Sequence, residues 1–285
     1  MKIYISTDIE GLAGIVDWDM ESGDTEIFRN LYNEQLEWVL EGIQKSSVNE
    51  KITDILLVDS HAKGNNLSYD RLSDFDDRIS LLSGWPREDY MMSCLDNSFD
   101  QVVFVGYHAG IGKQGGNMDH GYSARSAYKI WINNKYQNET TINVAYASEV
   151  GVPVTLVIGD SALKEQLIDE HMFDSPKYVT TKKSLARYAA LSFPRKKVRT
   201  ATIDAVKEVL QNPAPYSTLP IPKLPARLKV QVYNTAQADA ISQLQDINRI
   251  DGRTIETTAN SIHDLMNEIL AIVAIGGTQG RFNGA

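Results

Sequence analysis

The chain has 285 residues, 42% hydrophobic and 23% charged, with a formal net charge of −9. This is the composition of a globule large enough for one sizeable domain or two modest ones, and no apolar run is long enough to span a bilayer. The negative charge argues against a nucleic-acid-binding surface, and the single cysteine, Cys94, excludes an intrachain disulfide and the cysteine-based zinc motifs.

Residues 2–6 form a short apolar run that stops at Asp8-Ile9-Glu10-Gly11. Two similar runs follow: 52–58 ends in Asp59-Ser60-His61, and 102–105 ends in Gly106-Tyr107-His108. Runs this short, rich in Val and Ile, read as buried strands of a parallel sheet. Between the first two, Phe28, Leu31, Leu36, Val39, Leu40 and Ile43 recur at helical spacing and predict a helix over 25–45. Residues 65–77 read as a polar loop, Ser83-Gly84-Trp85-Pro86 as a turn, and 90–97 as a short helix. A flexible glycine-rich loop is expected over 110–121. A hairpin follows, 127–132 and 135–137 about Asn133-Asn134. A helix over 139–150 stops at Gly151. The strand 153–158 runs into Gly159-Asp160, where Asp160 or Ser161 caps a helix reaching Met172. A short strand is expected at 178–181, then helices near 184–192 and 197–211.

Pro213, Pro215, Pro220, Pro222 and Pro225 crowd the segment 213–225, where neither helix nor inner strand can continue. The segment reads as a linker between an α/β domain over 1–212 and a smaller unit over 226–285. That unit is expected to run strand 227–233, helix 236–244, strand 254–257 and helix 261–272, with a glycine-rich mobile tail from Gly276. The fold class is therefore α/β: a largely parallel central sheet flanked by helices, with a smaller C-terminal α+β unit.

The strand ends carry the chemistry, because the carboxyl ends of parallel strands line the ligand crevice. Three distant segments would bring carboxylates and imidazoles to one rim, as a hydrolytic metal site requires. Asp8 and Glu10, two apart in an extended chain, share a face, and carboxylates that close repel unless a cation lies between them. Each residue also has a plainer explanation. Asp8 could cap a helix, Glu10 could be solvated, and Glu139 could simply suit the dipole of its helix. His61 and His108 could be ordinary hydrogen-bonded histidines. Yet two of the five histidines sit at strand ends, and Asp59 could orient the His61 ring. At the close of the glycine-rich loop, His120 could be an acid–base or nucleophilic group or a surface histidine. His171 and His263 read as structural.

Taken together, Ser6-Thr7-Asp8-Ile9-Glu10-Gly11, Val58-Asp59-Ser60-His61, Val105-Gly106-Tyr107-His108-Ala109, Asp119-His120, Ile132-Asn133, Glu139, Ile142-Asn143 and Gly151-Val152-Pro153-Val154 through Gly159-Asp160 resemble the dinuclear zinc D-aminopeptidases, the family of dipeptide-transport-associated D-aminopeptidase. The resemblance implies two zinc ions per chain. Asp8 would bridge them, Glu10 and His61 would complete one, His108 and Glu139 the other, and His120 would be the catalytic histidine. It also implies removal of an N-terminal D-residue, typically D-alanine, from short peptides or amino-acid amides, by a ringed homo-oligomer such as a decamer. Asp119 departs from the small or apolar residue usual in the family, and beside His120 it would favour the protonated imidazole.

Such a ligand set suits zinc, with manganese or cobalt as other options. The metals would activate water and polarise the scissile carbonyl. His120 would act as base or nucleophile, and amides of the glycine-rich loop would hold the oxyanion. Two rivals remain open at this stage. One is a dinuclear-metal phosphoesterase, with Arg125 and Lys63 as candidate phosphate clamps. The other is a non-enzymatic peptide-binding protein. Neither nucleic acid nor membrane is an expected partner. With no secretory signal legible at the N-terminus, the expected compartment is the cytoplasm.

Overall fold

The computed structural model describes residues 1–23 and 25–279. In chain order its elements are β1 (Lys2–Thr7), α1 (Asp19–Gly23), α2 (Thr25–Gln44), β2 (Asp54–Asp59), α3 (Tyr69–Ser73), β3 (Ile79–Leu82), β4 (Gln101–Tyr107), β5 (Ala127–Ile132), β6 (Lys135–Gln137), α4 (Glu139–Val150), β7 (Val154–Gly159), α5 (Ser161–Lys164), β8 (Lys177–Thr180), β9 (Lys182–Ala186), β10 (Ala189–Ser192), α6 (Arg195–Gln211), β11 (Ala226–Val232), α7 (Thr235–Ile241), β12 (Asn248–Arg249), β13 (Thr254–Ala259) and α8 (Ile262–Gln279).

Six strands form a parallel sheet in the order β3-β2-β1-β4-β7-β8. From β1 the chain winds outward through β2 and β3 in one direction and through β4, β7 and β8 in the other. The winding reverses between β1 and β4, so the crevice at the carboxyl ends opens there. The period of two sorts the strand side chains into two cores. Ile3, Ile5, Leu57 and Val105 pack in one cluster with Phe28 and Leu36 of α2 and Val206 of α6. Tyr4, Val58 and Phe104 belong to the other, with Ile142 of α4 and Met266 of α8. Each fully buried aliphatic side chain contributes about 1.5–3 kcal/mol against the entropy of ordering it.

On the second face, β11 pairs with both β5 and β13, giving a five-stranded antiparallel sheet in the order β12-β13-β11-β5-β6. Helix α4 touches β4 and β7 on one side and α8 and β6 on the other, and it is buried from Glu139 to Ser148. Asn138 caps it by accepting from the Thr141 amide, and Gly151 ends it at φ +88°.

Several local expectations change. The stretch 184–192 is the hairpin β9–β10, not a helix. Its Ala, Leu and Arg residues favour helix locally, but the Arg187 carbonyl is held by Met118 N–H and Asn117 Nδ2, which fixes the chain as a turn. The helix expected over 90–97 is one 3₁₀ turn, Tyr90–Met92. The polar stretch 65–77 contains α3, capped by Ser68, and β3 adds an edge strand that sequence reasoning missed. The helix opened by Asp160 passes into a π turn at Glu165–Asp169 and stops short of Met172. Gly276 lies in α8, and the tail from residue 280 on is outside the described residues. Among the described residues no helix is long and apolar enough to cross a membrane.

Candidate active site

Beyond β1 and β4 the two chains stay in contact as they turn. Asp8 N–H donates to Val105 O and Gly11 N–H to Gly106 O, both at 2.7 Å. A Cβ on Gly106 would collide with the Asp8 carbonyl and one on Gly11 with the Tyr107 carbonyl, while Gly106 itself sits at φ +80°. Only glycine tolerates both the contact and the angle, and this close approach sets Asp8, Glu10 and His108 on one rim. The end of β2 adds His61, the start of α4 adds Glu139, and the loop after β4 adds His120.

These side chains converge and are buried, from 1% exposed at Glu10 to 9% at His120. His61 Nδ1 lies 3.0 Å from Asp8 Oδ1 and 3.5 Å from Glu10 Oε2. His108 Nε2 lies 3.8 Å from Asp8 Oδ2 and 3.5 Å from Glu139 Oε2. Asp8 thus faces both groups, one through each oxygen. His120 Nε2 is 3.5 Å from Glu139 Oε1, and its ring stacks on that of His108 with centroids 4.1 Å apart. Three overlapping sets, Asp8–Glu10–His61, Asp8–His108–Glu139 and Glu10–His108–His120, each gather their donor atoms within 4.8 Å.

Each imidazole has one nitrogen engaged elsewhere. His61 Nε2 meets Glu21 Oε1 at 3.0 Å, His108 Nδ1 meets Ala109 O at 2.8 Å, and His120 Nδ1 meets Met118 O at 3.0 Å. A carbonyl only accepts, so His108 Nδ1 and His120 Nδ1 carry a proton, whereas His61 has a carboxylate at each nitrogen, Glu21 at Nε2 and Asp8 at Nδ1. In neutral His108 and His120 rings the Nε2 lone pairs then face the Glu139 carboxylate. His108 Nε2 and Glu10 Oε2 are buried with no hydrogen-bond partner. Buried lone pairs facing one another are costly unless a cation is shared between them, so the donor set fits a metal. Trp18 Nε1 donates to the other Glu10 oxygen at 2.7 Å and fixes that carboxylate.

With protons alone, the cluster divides its charge unevenly. Burial, then the Glu10 charge, lifts the Asp8 carboxyl well above its ordinary range. Burial pushes Glu10 the same way, but the His61, His108 and His120 charges outweigh it and hold Glu10 well below. Burial depresses His61 and His108, yet the surrounding carboxylates prevail, raising His61 well above the usual imidazole value and His108 to about 10. His120 is lowered, by burial first and then by His108. A bound cation would displace the protons that this arrangement otherwise recruits.

The family model for peptidase family M55, D-aminopeptidase, matches residues 1–271. The chain belongs to the D-aminopeptidase family. It is 28% identical over 244 residues to a D-aminopeptidase of Bacillus subtilis (strain 168), an alignment covering 84% of each protein. The fold matches that of a Zn-dependent D-aminopeptidase from Bacillus subtilis, a self-compartmentalizing protease, with a TM-score of 0.86 at 24% identity, over 97% of this chain and 98% of that one.

Against this D-aminopeptidase fold, some expected roles change. Asp59 does not orient the His61 ring. Its carboxylate accepts from the amides of Asn66 and Leu67 and from Asn66 Nδ2, and so shapes the loop after β2. Asp119 does not face His120 either: Oδ2 accepts from Gly112 N–H at 2.7 Å and Oδ1 pairs with Arg187 at 2.9 Å. The glycine-rich loop is packed, with Asn117 and Met118 fully buried. Its amides at Gly110, Ile111, Gly112, Lys113, Gly116 and Met118 are bonded within the protein and do not form an oxyanion hole. Arg125 and Lys63 are exposed, and among the described residues neither bonds to the cluster. His171 is exposed beside Asp174, and His263 pairs with Asp89.

Sequence reasoning missed Trp18, Glu21, Lys182 and Arg187. Lys182 is fully buried, with Nζ donating to the carbonyls of Glu10 and Ile15, and burial lowers its pKa to about 8. A lysine with alternating neighbours carries no signal for such a role. Trp18 and Glu21 lie in an acidic stretch with no periodicity, so their inward turn is legible only in three dimensions.

Proposed function

We propose that this D-aminopeptidase family member is a zinc-dependent aminopeptidase that releases the N-terminal residue, a D-amino acid, from short peptides or amino-acid amides. One observation carries the reading: three imidazoles and three carboxylates are buried together, and two of their inward-facing atoms, His108 Nε2 and Glu10 Oε2, have no hydrogen-bond partner. Two cations suit the overlap of the donor sets, with Asp8 shared, Glu10 and His61 holding one, and His108 and Glu139 the other. When bound, zinc supplies Lewis-acid polarisation of the scissile carbonyl and acidifies water.

The protein's own groups handle the proton. Because Met118 O fixes the His120 tautomer, Nε2 is free to accept a proton from the attacking water and return it to the leaving amine. Burial lowers its pKa, which favours the neutral ring. Trp18 walls the same space, its indole edge-on to the His120 ring at 5.5 Å. Family membership favours peptides over phosphoesters and catalysis over mere peptide binding. The self-compartmentalizing habit of the Bacillus structure supports a ringed homo-oligomer here.

The test pairs metal analysis with a hydrolysis screen of L- and D-amino-acid amides, dipeptides and phosphoesters. The reading expects about two equivalents of zinc and cleavage of D-configured amides and dipeptides. Cleavage of phosphoesters alone would overturn it, as would tight peptide binding by protein that holds no metal.

A further inference from the structure

We propose that Arg187, at the tip of the β9–β10 hairpin, binds the C-terminal carboxylate of the peptide substrate and so selects free short peptides over their amides. The inference rests on the peptidase reading above and adds a substrate-recognition group to that same site.

The hairpin tip is laced to the loop that carries His120. The Arg187 carbonyl accepts from Met118 N–H at 2.7 Å and from Asn117 Nδ2 at 3.0 Å. The Arg187 guanidinium donates through Nη1 to the carbonyl and carboxylate of Asp119, the residue before His120. Asp119 is itself braced by Gly112 N–H. The guanidinium is thus held from one side, and its reach is set by the His120 loop rather than by a free side chain.

One donor of the guanidinium is left over, and the group touches a ring that lines the site. Nε meets Tyr188 Oη at 3.3 Å, while Nη2 has no partner among the described residues. The guanidinium lies over the Trp18 ring at 5.4 Å, and that ring lies 5.5 Å from the His120 ring. Arg187 therefore stands two ring contacts from the proposed base. A dipeptide with its scissile carbonyl beside His120 carries its terminal carboxylate three bonds further on, about 4 Å away. A charge-assisted N–H···O bond adds about 2.8 Å. A dipeptide is the shortest substrate that presents a carboxylate on the leaving side of the scissile bond.

Charge makes the assignment specific. Asp8, Glu10 and Glu139 crowd the rim in a chain of net charge −9, so a substrate carboxylate needs a cation at its own end. Arg187 is 36% exposed in its side chain, which leaves it open to a ligand from solvent. A planar guanidinium fork is the side chain best matched to a carboxylate. The Asp119 departure from the family pattern acquires a role here: it anchors the arginine rather than charging the histidine.

The experiment uses the zinc-loaded full chain and two probes, a D-alanyl dipeptide with a free carboxylate and the same dipeptide as its C-terminal amide. Wild type should favour the free acid by about 10- to 100-fold in kcat/KM, the worth of a charge-assisted hydrogen bond, and mostly through KM. Arg187→Gln should bring the ratio near unity, Arg187→Lys should leave it intermediate, and Arg187→Glu should invert it. A wild-type ratio near unity overturns the proposal even if a variant fails to fold, and so does an unchanged ratio in Arg187→Gln. If wild type cleaves neither probe nor any peptide, the peptidase reading falls and takes this one with it. Equal cleavage of both probes removes the arginine's role alone.

Discussion

Among the described residues, two clusters of acids and imidazole gather their donor atoms equally closely, and one of them has the character of a metal centre. Glu88, Asp89 and His263 also gather donor atoms within 4.8 Å. There, His263 Nδ1 lies 3.0 Å from Asp89 Oδ1, Asn267 Nδ2 donates to His263 Nε2 at 3.1 Å, and Tyr146 Oη donates to Asp89 Oδ2 at 2.7 Å. Glu88 is exposed, with 74% of its side chain in solvent. His263 has a protein neighbour on each ring nitrogen and the cluster opens to solvent through Glu88, although Asp89 Oδ1, like Glu10 Oε2, is buried with no hydrogen-bond partner. At the sheet edge all six side chains are buried, His108 and His120 each turn Nδ1 to a backbone carbonyl, and His108 Nε2 and Glu10 Oε2 are left without a hydrogen-bond partner. Residue type does not separate the two clusters; complete burial and an unpartnered imidazole nitrogen do.

The sharpest way to break this comparison is to remove metal. Dialysis against a chelator should reduce hydrolysis to background, and added zinc should restore it, while the His263 cluster is unaffected. Glu139→Ala should lower zinc content by inductively coupled plasma analysis, whereas His263→Ala should not. A loss of zinc in His263→Ala would mean that the outer cluster binds metal after all. Next in size, His120→Ala should cost about 10²–10⁴-fold in kcat, the usual contribution of a positioned acid–base group, with zinc content retained. If zinc is lost instead, His120 acts as a ligand through the Glu10–His108–His120 set.

A smaller effect tests the outer supports. Trp18→Phe removes the N–H that fixes Glu10, and Glu21→Ala frees the His61 ring. Each should weaken zinc affinity about 10- to 100-fold, the usual penalty for losing such a partner, measured by competition with a chromophoric chelator. These supports mark where sequence reasoning ran out. Asp8, Glu10, His61 and His108 were legible because each follows an apolar run at a strand end, a pattern that survives without coordinates. The hairpin at 127–137 and the helix over 139–150 were legible from Asn133-Asn134 and Gly151, whose backbone preferences are local. The β9–β10 hairpin was not, because its helix-favouring composition is overruled by bonds to Asn117 and Met118, some seventy positions away in the chain. Arg187 could not be read as part of the site for the same reason, and Glu21 reaches His61 across a turn that no periodicity marks.

The smallest effect probes the outer, partly exposed cluster of Glu88, Asp89 and His263. Tyr146→Phe deletes the hydrogen bond to Asp89 and should lower stability by about 1 kcal/mol, with zinc content and turnover unchanged. The pH dependence identifies the cause. Burial raises the Asp89 carboxyl above its ordinary range, and the Tyr146 hydroxyl opposes that rise by bonding to the ionised form. Without the hydroxyl the folded-state pKa climbs further, so the wild-type advantage is full where the carboxylate is ionised and fades as the pH falls into the raised carboxyl range. Thermal melts of wild type and Tyr146→Phe should therefore be furthest apart near neutral pH and converge in acid. A difference in melting temperature that is constant with pH would mean that Tyr146 contributes by packing alone, and that Asp89 depends on His263 for its charge balance.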